Sequence, residues 1–185
     1  MKRGHQRRGN YAINPAQFRQ LRRYLLNSGN DDKFVLYVIM LTGIKWFLRG
    51  DEVVTLTVEK FEHLMFQLDD EHGVRTLAAW IRGKADTLDV LLNTYADPND
   101  CDMDLVLHLL VYVKSFGIRE GLLFPGWTEE RLYKGMTFCL VKVLKKVDEH
   151  ICVGTHTLRK AAYLFGVYAM LYQFGVHEVK GGKYC

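Results

Sequence analysis

The sequence predicts a mainly helical α+β domain with a small three-stranded antiparallel sheet. Long stretches repeat apolar residues at helical spacing, and one block rich in β-branched and aromatic residues falls in the first half of the chain. No glycine-rich phosphate loop follows a strand, which argues against a nucleotide-binding α/β domain. With 185 residues, 49% of them hydrophobic, the chain suits one domain, or a domain with an arm.

Residues 1–13 read as a basic flexible arm and 14–185 as the folded domain. Asn14-Pro15 has the form of a helix N-cap and first helical position, and that helix runs to about Asn27. Ser28-Gly29-Asn30 breaks it. Asp31 and Asp32 open a second helix through Phe34, Tyr37, Val38 and Leu41, their charge matching its N-terminal dipole. Val53–Val58 reads as a short strand and Glu59–Leu68 as a short amphipathic helix. Val74–Gly83 and Thr87–Asn93 form a hairpin with Lys84 at its tip. Asp102–Phe116 is helical, with Leu105, Leu109, Tyr112 and Phe116 on one stripe. Leu122–Gly126 is an apolar turn. Thr128-Glu129-Glu130 opens a helix whose core stripe is Leu132, Met136, Leu140, Val143 and Val147, with Lys134, Lys142, Lys145 and Lys146 lying away from it. Thr155 caps the last long helix, which runs to about Phe174; Tyr163, Tyr168 and Tyr172 read as packing residues within it.

Charge is uneven along the chain. Lys2, Arg3, Arg7, Arg8, Arg19, Arg22 and Arg23 all precede the first acid, Asp31, and outweigh the net charge of +4. Such a segment suits a polyanion, or is a solvated tail and helix face. Cys101, Cys139, Cys152 and Cys185 show no paired spacing, which fits a reducing, intracellular compartment. No apolar run is long enough to span a bilayer, so no membrane partner is expected. His150, Cys152 and His156 lack an evident fourth ligand, so no metal is expected.

The chemistry-bearing residues are His156-x-x-Arg159, which share a helical face, and Arg49 in Leu48-Arg49-Gly50-Asp51-Glu52. A planar guanidinium fork matches a phosphodiester and stays charged, so two that converge can grip one.

In order, these pieces resemble the catalytic domain of tyrosine recombinases, the phage-integrase family. Thr42-Gly43-Ile44 through Arg49-x-x-Glu52-x-x-x-Leu56 resembles the first arginine box, Lys84 in Arg82-Gly83-Lys84 the hairpin lysine, Leu123-Phe124-Pro125 an apolar turn, and His156-x-x-Arg159 the second box. The resemblance runs from about Gln17 to Gly175, and the Leu-Arg-Gly-Asp-Glu form looks most like eukaryotic mobile-element members such as the crypton group. Two departures stand out. Lys45 fills the slot of the compact Thr-Gly-x-Arg, with Arg49 one turn later. The chain also ends soon after Arg159, so either Tyr184 is the nucleophile or that residue lies beyond Cys185.

The resemblance implies DNA strand cleavage and rejoining, as in site-specific recombination or integration, through a 3′-phosphotyrosyl intermediate. Arg49 and Arg159 would clamp the phosphate, Lys84 protonate the leaving 5′-oxygen, and His156 position or deprotonate the nucleophile. His177 and Tyr184 would complete the set, and Glu52 would orient an arginine. Arg19, Arg22, Arg23, Arg82, Lys142 and Lys145 are expected on DNA phosphates. The partner would be duplex DNA, with self-association on it as a dimer or tetramer. No cofactor is expected, because the phosphotyrosine stores the bond energy. The resemblance further implies that an N-terminal DNA-clamping domain is missing here, and perhaps the last helices; in a eukaryote the site of action would be the nucleus. The alternatives are an inactive, domesticated DNA-binding module and a type IB topoisomerase.

Overall fold

The computed structural model describes residues 11–61, 67–69, 74–82, 88–144 and 153–173. Helix α1 (Pro15–Leu26) begins where its cap requires. The Asn14 side chain accepts from the Gln17 N–H at 2.9 Å, and Gln17 returns the bond to the Asn14 N–H at 3.1 Å. Ile13 is fully buried, and the Tyr11 hydroxyl accepts from Gln17 Nε2, so the packed chain reaches back at least to Tyr11.

Helix α2 (Asp31–Lys45) starts at an Asn30 cap with Asp31 and Asp32 in its first turn. Every residue from Val35 to Ile44 is buried, so its apolar character runs all round. That is the signature of a central helix rather than an amphipathic one. It packs against α1 and against the later helices α4 (Leu105–Phe116), α5 (Glu129–Leu144) and α6 (Thr157–Gln173).

Two sequence expectations are overturned between α2 and the sheet. The stretch Val53–Val58 is not a strand: Gly50–Val54 forms a short helix, α3. Asp51 and Glu52 favour its N-terminus, the Glu52 carboxylate accepts from the Arg49 N–H at 2.8 Å, and Val53 and Val54 are buried against neighbours. The extended tendency survives one step later. Leu56 and Val58 pair with Leu123 and Gly121 through backbone bonds of 2.8 Å, away from the sheet. Nor do the described residues of the expected helix Glu59–Leu68 continue one: Val58–Lys60 makes a single tight turn, Phe61 bridges to Ala79, and Gln67–Asp69 is already strand β1, while residues 62–66 lie outside the described residues.

The sheet is antiparallel in the order β1-β2-β3, with β2 at Val74–Ile81 and β3 at Val90–Tyr95. Its main ladder pairs Thr76 with Tyr95 through to Ile81 with Val90. So the hairpin expected at 74–93 is present and the sheet has three strands, but the third is Gln67–Asp69 rather than Val53–Val58. Leu77, Ala79 and Ile81 alternate into the core, while Trp80 and Tyr95 are exposed on the outer face.

The later helices follow their stripes. Leu105, Leu109 and Tyr112 of α4 are buried, and Phe116 sits at the edge. Leu132, Met136 and Leu140 of α5 are buried, with Val143 packed against them. Leu158, Ala161 and Ala162 carry the buried face of α6. The tyrosines expected to pack there do not: Tyr163 and Tyr168 are exposed, while Leu158 and the small alanines take the buried positions. Tyr172 lies beyond the side chains described.

Candidate active site

Helix α6 reaches the end of α2 because Gly43 has no side chain. A Cβ there would lie 2.5 Å from Leu158 Cδ1. This close approach sets the His156–Arg159 segment beside the turn that ends α2. Phe47 closes that turn with φ of 55°, a left-handed conformation uncommon for a bulky residue. Its carbonyl is thereby free of the helix and accepts from Arg159 Nε at 2.8 Å.

Glu52 joins the two boxes. Its Oε2 accepts from Arg159 Nη2 at 2.8 Å and from the Arg49 N–H at 2.8 Å, while Oε1 lies 3.9 Å from Arg49 Nε. Both guanidinium groups therefore stand within 4 Å of one carboxylate. The Glu52 side chain is only 12% exposed, against 23% for Arg49 and 37% for Arg159. Arg49 Nε is buried without a hydrogen-bond partner. Two of the five donors of Arg159 are engaged, leaving the rest of its fork for a ligand.

A second set of contacts fixes the loop that carries His156. The Gly50 N–H donates to the Thr155 carbonyl at 3.2 Å, tying the start of α3 to the residue before His156. Thr155 does not cap α6 as the sequence suggests. Its hydroxyl donates instead to Glu129 at 3.1 Å, and Tyr133 donates to the same carboxylate oxygen. Burial raises the Tyr133 phenol above its usual range, and the bond to Glu129 adds to this. The Tyr133 ring occupies the space a side chain on Gly50 would need, with its hydroxyl 2.5 Å and a ring carbon 2.7 Å from an added Cβ. Gly50→Ala is therefore expected to destabilise the fold by about 1–3 kcal/mol. A thermal melt checks it, and an unchanged midpoint would mean the ring swings aside freely.

The His156 carbonyl accepts the first helical bond of α6, from the Lys160 N–H at 2.9 Å. The imidazole is exposed and shares a hollow with Arg159. His156, Arg159 and Lys160 line this hollow at the N-terminal end of α6, an arrangement that suits a phosphate, while Arg49 is joined to it through Glu52 and is not among the lining residues.

The chain folds like a site-specific recombinase. Over 94% of its length it matches the crystal structure of the XerH site-specific recombinase bound to difH substrate in a pre-cleavage complex, with a TM-score of 0.57 and 16% sequence identity. The match covers 47% of the XerH chain, so this chain spans about half of that recombinase's length. No protein-family model and no curated protein matches. At this identity the shared property is the fold.

Lys84, Lys145, His177 and Tyr184 lie outside the described residues. Arg19 and Arg23 are exposed on α1, but Arg22 turns inward and pairs with Asp102, its side chain 15% exposed. That placement braces α1 against the loop before α4 and does not fit a phosphate contact. Arg82 is exposed and bonded to Asp89 at 2.9 Å. Lys142 lies over the rings of Tyr24 and Phe138. No group of three metal-ligating side chains occurs among the described residues. Sequence reasoning missed Phe47, Glu129, Tyr133 and Thr155 as supports. The Glu129–Tyr133 spacing of one helical turn was the only available signal.

Proposed function

We propose that this chain is the catalytic domain of a tyrosine-type site-specific DNA recombinase, cutting and rejoining duplex DNA. The observation that carries the reading is Glu52 holding Arg49 and Arg159 together beside His156, in a fold shared with XerH.

Arg159 and Arg49 would contact the non-bridging oxygens of one phosphodiester, where negative charge builds during in-line attack. A tyrosine oxygen forms a bond to phosphorus as the bond to the 5′-oxygen breaks. That oxygen leaves as a hydroxyl, taking its proton from the hairpin lysine, for which Lys84 is the candidate. The protein is left joined to a 3′-phosphate. Attack by the 5′-hydroxyl of another strand reverses the step, so bond number is conserved and no cofactor is required. His156 would accept or hold the tyrosine's proton. Tyr184 is the candidate nucleophile within this chain, with His177 beside it in sequence. Self-association on DNA would supply the second cutting centre.

The test uses the longest native form of the chain and duplexes nicked near randomised candidate sites, which trap the covalent intermediate. A protein–DNA adduct stable to detergent is expected, and Tyr184→Phe should remove it if Tyr184 is the nucleophile. A gel shift with no adduct would replace this reading with a non-cleaving DNA binder. Relaxation of supercoils without sequence preference would point to a topoisomerase.

A further inference from the structure

The His156–Arg159 face of α6 continues one turn further, to Tyr163. This tyrosine is 67% exposed, although the helix it stands on buries Leu158, Ala161 and Ala162. It borders the hollow shared by His156 and Arg159, which has a volume of about 420 Å³ and is completed by Ala12, Lys160 and Leu164. The hollow has two chemical halves. Its lining brings an imidazole, a guanidinium and an ammonium together with an aromatic ring and two aliphatic side chains. A nucleotide has the same two halves, an anionic phosphate joined to a flat, weakly polar base.

We propose that this hollow is a nucleotide subsite, in which Tyr163 is a stacking platform for an unpaired base next to the phosphate held by Arg159. The inference rests on the strand-transfer reading and deepens it. An intact duplex keeps its bases paired and stacked, so none is offered to a side chain. Rejoining to a different strand requires the bases at the break to leave their partners first. A platform beside the phosphate clamp holds such a base while the strands exchange. Aromatic stacking suits this task because every base has a π-face, so the platform imposes little sequence preference.

The experiment compares an intact duplex with the same duplex carrying a short gap, its unpaired strand labelled with 2-aminopurine, each titrated with the 185-residue chain. The wild-type chain is expected to bind the gapped form more tightly and to quench the label. Tyr163→Ala should weaken gapped binding about tenfold and abolish the quenching. Its affinity for intact duplex should stay within about twofold. Tyr163→Phe should behave as wild type, since the ring rather than the hydroxyl does the stacking. Equal affinity of wild type and Tyr163→Ala for the gapped duplex would overturn the subsite while leaving the recombinase reading intact. Failure of the wild type to bind either duplex would overturn both.

Discussion

Arg159→Ala slows strand cleavage on the order of a thousandfold and leaves DNA affinity within about tenfold: that is the expected result in the adduct assay. The asymmetry follows from where the charge appears. A resting phosphodiester carries one negative charge that many surface cations can meet. The extra charge of the pentavalent state develops at one phosphorus, where only the clamp reaches it. Arg159 is placed for this role by two bonds, to the Phe47 carbonyl and to Glu52, which fix its fork before any ligand arrives. Arg159→Lys restores the charge but not the planar fork, and it should recover only part of the rate. Melting temperatures measured alongside separate a rate effect from unfolding. Cleavage at the wild-type rate in the alanine variant would remove Arg159 from the chemistry.

Glu52→Ala is expected to cost about 2–4 kcal/mol of stability. The carboxylate is nearly buried and serves the Arg49 N–H and Arg159 Nη2 at once. Without it, two guanidinium groups face each other with no anion between them. Because Arg159 is 37% exposed, water compensates part of the loss and the lower end of that range applies. Glu52→Gln keeps the shape and one acceptor, so about half the effect should remain. Urea titrations at equal m-value read the difference directly. A loss below about 1 kcal/mol for the alanine variant would show that the arginines hold their places by packing alone.

The parts of this fold visible in the sequence are those set by local rules. Asn14-Pro15 and Asp31-Asp32 begin helices because a cap and a dipole act within one turn, and the α4 and α5 stripes face the core because burial follows the helical period. Val53–Val58 was misread because β-branched residues prefer a strand only when neighbours offer a ladder. Here Glu52 and the packing of Val53 and Val54 support a helix instead. The meeting of Glu52 with Arg159 spans 107 residues, and no periodicity encodes it. The resemblance to a known family implies only that Glu52 orients an arginine, without saying which one. Phe47 and Glu129 act through a carbonyl and a hydroxyl-bonded oxygen, contacts that leave no trace in residue type.

The carboxylate wedged between the two guanidinium groups also governs how the pair meets an anion. Two bare cations so close would push apart and need counterions to stay ordered. With Glu52 interposed, the trio carries a surplus of one positive charge. A single phosphodiester linkage brings that surplus to zero. Neutralising that one phosphate should therefore release about one of the DNA's counterions, not two, and the clamp's share of the salt dependence of DNA binding should be correspondingly shallow.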